Sequence, residues 1–218
     1  MTAPYYTDEY VTLYHGDCLE VTDWLSADVL VTDPPYGIGY RRGSNEARGS
    51  KHALGIVNDE DTSTRDKALA AWGDGPAVLF GSLTAPYPSP LRQVLIWQKP
   101  ANAGVYGSTT GYRRDIEAIF LCGSWPVRSV RSSSVLRLAS GSGNGPGKQT
   151  GHPHAKPFEL MLRLIEPCPP GTIADPFAGS GSTLVAAKLL GRRAIGVEID
   201  ERYCEIAAGR LSQEVLDL

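Results

Sequence analysis

Short apolar runs broken by glycine, proline and charge set the pattern of this chain. Asp28-Val29-Leu30-Val31-Thr32 is apolar and β-branched, which predicts a buried strand. Upstream, Tyr10 to Tyr14 alternates β-branched and aromatic residues and predicts another strand, with a helix expected from Cys18 to about Ser26. Further strands are predicted at Ala77–Phe80, Gln93–Trp97, Thr172–Ala174 and Ala194–Ile199. Ile116–Cys122 reads as an antiparallel partner of the Gln93 strand. Helices are predicted at Thr64–Trp72, Phe158–Glu166, Leu184–Leu190 and Arg202–Val215, with Pro157 suited to a first turn and Gly191 to a helix end. The alternation of strand and helix is strongest after residue 157 and argues for an α/β protein.

Two stretches escape this periodicity. From Gly37 to about Asp61 glycine, serine and charge dominate, and from Gly123 to Gly151 serine, glycine and arginine do. Loops this long in a compact domain are usually functional or disordered. The first follows a candidate catalytic turn and is expected to be a flexible loop over 38–61; the second reads either as part of a functional segment or as a linker.

Composition bounds the answer without deciding it. At 218 residues, 42% hydrophobic and 21% charged, the chain suits one domain with a real core. No apolar run reaches the length of a membrane span, and the N-terminus lacks a signal pattern, so a cytoplasmic protein without membrane attachment is expected. Cys18, Cys122, Cys168 and Cys204 are scattered, which fits reduced thiols and suggests no metal site. The net charge of −3 hides an asymmetry: residues 1–37 hold seven acids and no lysine or arginine, while Arg41, Arg42, Lys51, Lys99, Arg113 and Arg114 fall in the less regular segments. They suit a polyanion partner, or else solvated loops.

The candidate chemistry lies at strand ends. Asp33-Pro34-Pro35-Tyr36 follows the Val29–Thr32 strand; its prolines remove two backbone donors and hold the chain extended. In open α/β sheets ligands bind beyond the carboxyl ends of strands. The turn offers a carboxylate, a free carbonyl at Pro34 and an aromatic ring. Two acceptors on the two N–H bonds of an exocyclic amine favour a pyramidal nitrogen with a free lone pair, so the turn suits alkylation of a nucleobase amino group. A plain Pro-Pro turn with Asp33 as a cap is the alternative. Asp17, just past the Tyr10–Tyr14 strand, is expected on the same sheet edge, as ligand or as helix cap. Asp175-Pro176-Phe177-Ala178-Gly179-Ser180-Gly181-Ser182-Thr183 joins a strand to a helix, and the next strand ends on Glu198. Glycines admit a ligand close to backbone, a helix N-terminus favours an anionic group, and an acid at the next strand end suits a ribose diol. No lysine precedes Ser182, and Leu184 replaces the third glycine of a dinucleotide fingerprint.

Taken together, Gly16-Asp17, Asp33 to Tyr36, Trp97-x-Lys99, Glu117, His152-Pro153-x-x-Lys156-Pro157, Asp175 to Thr183, and Gly196 to Asp200 resemble the amino-group DNA methyltransferases that use S-adenosyl-L-methionine. The order, acidic turn first and glycine turn second, is similar to the circularly permuted β group. The resemblance implies a Rossmann-like, seven-stranded, mostly parallel sheet with helices on both faces and Thr172–Ala174 as its central strand. It implies that Asp33, Pro34, Pro35 and Tyr36 hold a flipped-out base next to the cofactor's methyl. It implies that Phe177, Gly179, Ser180, Gly181, Ser182 and Thr183 cradle the cofactor, with Asp175 near its amino-acid end. Glu198 would take the ribose, Ile199 the adenine face and Asp17 the adenine edge, while His152 and Lys156 would line the methionine end. The six basic residues named above would meet DNA, residues 101–150 would hold the target-recognition segment, and a homodimer is a fair expectation.

Within that family Asp at the first position of the acidic turn is typical of adenine-N6 enzymes and Ser of cytosine-N4 enzymes. Adenine N6 in DNA is therefore the leading reading and cytosine N4 the second. RNA methylation, an inactive DNA-binding subunit and a nucleotide-dependent oxidoreductase are the other classes. Intact acidic and glycine turns argue against the inactive subunit, and the incomplete fingerprint argues against the oxidoreductase.

Overall fold

The computed structural model describes residues 2–39, 58–100, 111–126, 132–138 and 156–213. Its strands are β1 (Tyr6–Thr7), β2 (Val11–His15), β3 (Val29–Thr32), β4 (Ala77–Gly81), β5 (Leu91–Gln98), β6 (Ile116–Cys122), β7 (Val135–Arg137), β8 (Ile173–Asp175) and β9 (Ala194–Glu198). They form one sheet in the order β1-β2-β9-β8-β3-β4-β6-β5-β7. Setting aside the short edge strands β1 and β7 leaves the expected seven. Among these β2, β9, β8, β3 and β4 run parallel, and β6 is antiparallel to β4 and β5. β8, late in the sequence, pairs with both β3 and β9, so the two halves of the chain meet at the sheet's middle.

Alternation along the strands builds two apolar layers. Val29, Val31, Val78 and Phe80 face one side and join Leu160, Met161, Leu184, Ala187, Ala207 and Leu211. Those residues come from helices α2 (Phe158–Ile165), α3 (Ser182–Leu189) and α4 (Glu201–Ser212). Leu30, Ala77 and Leu79 face the other side, against Ala68 and Leu69 of α1 (Ser63–Trp72) and against Trp24. Helices thus cover both faces, as parallel strands require.

The helix expected from Cys18 to Ser26 is a correction. Only Asp23–Ser26 forms a turn of 3-10 helix. The Cys18 carbonyl, which an α-helix would pair with the N–H of residue 22, instead accepts the indole N–H of buried Trp24 at 2.9 Å. Trp24 stacks on Trp72 of α1 with ring centroids 6.0 Å apart, so tertiary packing of one side chain overrides local helix formation.

Most of the loop 38–61 and of the segment 101–150 lies outside the described residues. The described ends of the first are tied together: Asp59 Oδ1 accepts from Gly37 N–H at 2.9 Å, and its carbonyl accepts from Gly39 N–H at 2.6 Å. Among the described residues no helix is long and apolar enough to cross a membrane, and no cluster of His, Cys, Asp or Glu is arranged to hold a metal ion.

Candidate active site

Register brings the chemistry to one edge. His15 of β2 lies opposite Glu198 of β9, Asp175 of β8 opposite Gly196, and Leu30 of β3 opposite Ala174. Asp17, Glu198, Asp175 and Asp33 therefore stand at the carboxyl ends of four neighbouring strands, as expected for Asp17 and Asp33. Asp17 Oδ1 accepts the Leu19 N–H at 2.8 Å, so it closes the turn that replaces the expected helix.

The glycine turn is held from behind. Gly179 has φ 50° and Gly181 φ 78°, a left-handed backbone that glycine adopts without strain. A Cβ on Gly181 would lie 2.9 Å from the Cβ of Ala207, so α4 packs directly against the turn. Arg210 of α4 donates from Nη1 to the Ser180 carbonyl at 2.5 Å and reaches the Ser180 and Ser182 hydroxyls at 3.3 Å. Ser180, Ser182 and Thr183 are buried; the two serine hydroxyls lie on Arg210, and the Thr183 side chain hydrogen-bonds Asp175. Asp175 is buried as well; it accepts from Thr32 Oγ1 at 2.6 Å and from Phe177 N–H at 3.2 Å, tying β8 to β3. Burial pushes its carboxyl up to about 7, against hydrogen bonds from Thr183, Thr32 and Phe177. Phe177 is half-buried and packs on the α1 side of the sheet.

Glu198 faces the same turn. Its Oε2 accepts the Gly179 N–H at 2.7 Å and its Oε1 the Asp200 N–H at 2.8 Å, which fixes the carboxylate against the turn. Burial raises its pKa above the ordinary carboxylate range, opposed by the N–H groups of Asp200, Gly179 and Ile199. The next residue, Ile199, is 43% exposed, an aliphatic side chain left bare beside a buried acid.

Around Asp33 the chain assembles a cluster that sequence reading only partly anticipated. Lys156 Nζ lies 3.2 Å from Asp33 Oδ2, pairs closely with Glu117 Oε1, and donates to the Tyr36 hydroxyl at 2.9 Å. The Tyr36 hydroxyl is 2.7 Å from Asp33 Oδ1 and 2.5 Å from Glu117 Oε1, so its single proton bridges to one carboxylate or the other. Lys99 Nζ closes the set at 2.8 Å from Glu117 Oε2. The two acids separate in basicity. Burial, reinforced by the charge of Glu117 and opposed by Lys156, leaves the Asp33 carboxyl raised. Burial acts on Glu117 too, but the Lys156 and Lys99 ammonium groups overcome it and hold the acid at about 2. Lys156 is raised above an ordinary lysine because Asp33 and Glu117 outweigh its burial.

Lys156 and Lys99 are thus placed on the acidic cluster. Arg113 and Arg114 are exposed beyond the ends of β5 and β6, with Arg113 3.5 Å from Asp115. Arg41, Arg42, Lys51 and His152 lie outside the described residues. Two residues carry more than their sequence context announced. Glu117 is the one acid in the otherwise apolar strand Ile116–Cys122, a signal in itself; Arg210 sits on the last predicted helix, to which no role at the site was given.

The fold, and an edge that sets a glycine turn and a ribose-suited acid beside an acidic turn, suit a transferase with a nucleoside cofactor, and the chain's similarity to known proteins says which. The DNA methylase family of N6 and N4 enzymes matches residues 124–209. The chain is 30% identical over 223 residues to "Putative methylase YubD" of Escherichia coli (strain K12), covering 90% of this chain and 88% of that protein. It is 28% identical over 271 residues to the Type II methyltransferase M.ScaI of Streptomyces caespitosus, covering 99% of this chain and 86% of the relative. Among solved structures, the PvuII cytosine-N4-specific DNA methyltransferase superposes with a TM-score of 0.69 at 18% identity, over 99% of this chain and 91% of its own. The M1.HpyAVI–SAM complex gives 0.66 at 22% identity, over 93% and 99%. These two share the fold. The chain belongs to the amino-group DNA methyltransferases, and its cofactor is S-adenosyl-L-methionine. The residues fit that cofactor: a bare Ile199 beside a pinned Glu198, a Gly181 closed from behind by Ala207, and a start of α3 that carries no side-chain cap.

Proposed function

We propose that this enzyme methylates the exocyclic N6 of adenine at a defined site in DNA. The observation that carries the reading is Asp33, held by Tyr36 and Lys156 at the carboxyl end of β3, on the edge that also holds Glu198 and Gly179. Asp33 and the Pro34 carbonyl accept the two N–H bonds of the amine, which leaves the nitrogen lone pair free. Because burial raises its pKa, Asp33 is also the better-placed proton acceptor of the two acids when the methylated nitrogen sheds a proton. S-adenosyl-L-methionine supplies the electrophilic methyl when bound. Glu198 would hold its ribose hydroxyls, Ile199 its adenine face, Asp17 the adenine edge, and the backbone of Gly179 to Thr183 its amino-acid portion. Alignment and exclusion of water do the rest.

The target base must leave the helix to reach Asp33. The Tyr36 hydroxyl is committed to Asp33, Glu117 and Lys156, so its ring is fixed where a flipped base would pack. Arg113 and Arg114 suit phosphate contacts at the same edge, and residues 101–150 are proposed as the target-recognition segment of a single domain spanning 1–218, with 38–61 as its loop over the DNA. The same reading includes a homodimer working in the bacterial cytoplasm; light scattering tests the dimer.

The test is transfer of labelled methyl from S-adenosyl-L-methionine to unmethylated duplex DNA, followed by nucleoside analysis. N6-methyladenine is expected. N4-methylcytosine would overturn the assignment of the base while keeping the fold and cofactor.

A further inference from the structure

Lys156 has three N–H bonds and three acceptors: Asp33 Oδ2, Glu117 Oε1 and the Tyr36 hydroxyl. It is saturated, with its ammonium 4.6 Å from the centre of the Phe80 ring. It and Glu117 are 11% and 9% exposed, so this is a nearly dry contact between residues far apart in sequence. A buried salt bridge that served only to join β6 to the segment before α2 would need one acid, and Glu117 alone would meet Lys156. Here the same ammonium is divided between two carboxylates, and only Asp33 stands at the open edge, 29% exposed.

We propose that Glu117 and Lys156 are positioning residues for Asp33: Glu117 anchors the Lys156 ammonium and the Tyr36 hydroxyl, and these two hold one Asp33 oxygen each. The proposal rests on the reading of Asp33 as acceptor of the amine. Its chemical point is division of charge. If Lys156 faced Asp33 alone, the pair would be tight and the carboxylate a poor proton acceptor. With Glu117 taking the shorter contact, and Lys99 balancing Glu117 from its far oxygen, Lys156 orients Asp33 without quenching it. Among the described residues, the charged and titratable groups that act on Asp33 are Lys156 before α2, Glu117 on β6, Tyr36 on its own turn and Asp175 at the end of β8.

The network predicts opposite responses from its two ends. Activity needs ionised Asp33, so the single-turnover rate falls as pH drops through its pKa. Glu117→Gln removes a like charge and leaves Lys156 to Asp33, so the acid limb moves to lower pH. Lys156→Gln removes the cation, so the limb moves to higher pH. Near pH 7.5 each variant is expected to lose about tenfold or more in rate, with the Kd for S-adenosyl-L-methionine of Glu117→Gln within about twofold of wild type, a factor under about 0.5 kcal/mol. Lys156→Arg keeps the charge and should return the limb toward its wild-type position, which separates charge from folding. Limbs that stay in place, or move in the same direction in both glutamine variants, overturn the proposal. Asp33→Ala is measured alongside: full activity there strikes the reading of Asp33 itself, whereas an inactive Asp33→Ala with unmoved limbs strikes only the network.

Discussion

Replacing Gly181 by alanine tests how the cofactor turn is built. Two separate costs are legible in the structure. A non-glycine residue at φ 78° carries about 1–2 kcal/mol of backbone strain. The new methyl would lie 2.9 Å from the Ala207 Cβ, well inside the roughly 3.5–4.0 Å of a carbon–carbon contact. Either α4 or the turn must retreat by the better part of an ångström, and overpacking of that kind costs about 1–3 kcal/mol. The sum, about 2–5 kcal/mol, corresponds to a melting temperature lower by on the order of 10 °C for a domain of this size. If part of the strain relaxes by displacing the turn, each 1.4 kcal/mol lost at the site weakens cofactor affinity about tenfold. The double variant Gly181→Ala, Ala207→Gly separates the terms. It relieves the methyl contact, keeps the φ strain, and adds about 1 kcal/mol for glycine in a helix. Calorimetric melting of the four proteins in that cycle should give a coupling energy of about 1–3 kcal/mol. A coupling near zero, with the single variant as stable as wild type, would refute the account of α4 as the wall behind the turn.

Other consequences are equally open to measurement. Asp33→Ala should abolish methyl transfer while calorimetry still detects S-adenosyl-L-methionine binding, because the carboxylate serves the amine; loss of cofactor binding would assign it a different role. Asp175 keeps its proton in the fold up to about 7, whereas the unfolded carboxyl releases it near the ordinary aspartate value of 3.8. The folded state therefore binds more protons across that window, and stability falls as pH rises through it, by up to about 1.4 kcal/mol per unit, then levels above 7. Melting from pH 4 to 8 should show this slope in wild type and a shallower one in Asp175→Asn. Arg114 is exposed at the site's mouth and Lys99 is paired with Glu117, so Arg114→Ala should reduce the slope of log affinity for DNA against log salt by about 0.9, while Lys99→Gln leaves it unchanged.

Much of this was legible in sequence because short-range physics carries it. Val29–Thr32 and Ile116–Cys122 emerge with the predicted boundaries, since a short, mainly apolar run bounded by breakers has few other uses. The acidic and glycine turns were recognisable from residue types at fixed offsets. The Cys18–Ser26 segment was not, because what decides it is a tryptophan that finds its partner in α1. Lys156 was read as a cofactor-end residue, and nothing within a few residues of it points to Glu117 or Asp33.

By itself, then, the sequence determined seven of the nine described strands, missing the short edge strands β1 and β7, together with the turns at their ends and the order in which they occur. Those features follow from side-chain period, proline and glycine geometry, and one acid per turn. The tertiary structure decided which turns share an edge, because parallel pairing of β8 with both β3 and β9 brings residues 33, 175 and 198 together. It also decided the charge state of the centre. Two carboxylates, two lysines and a tyrosine hydroxyl meet there from separate segments, and only their mutual distances and loss of water set Asp33 and Glu117 apart.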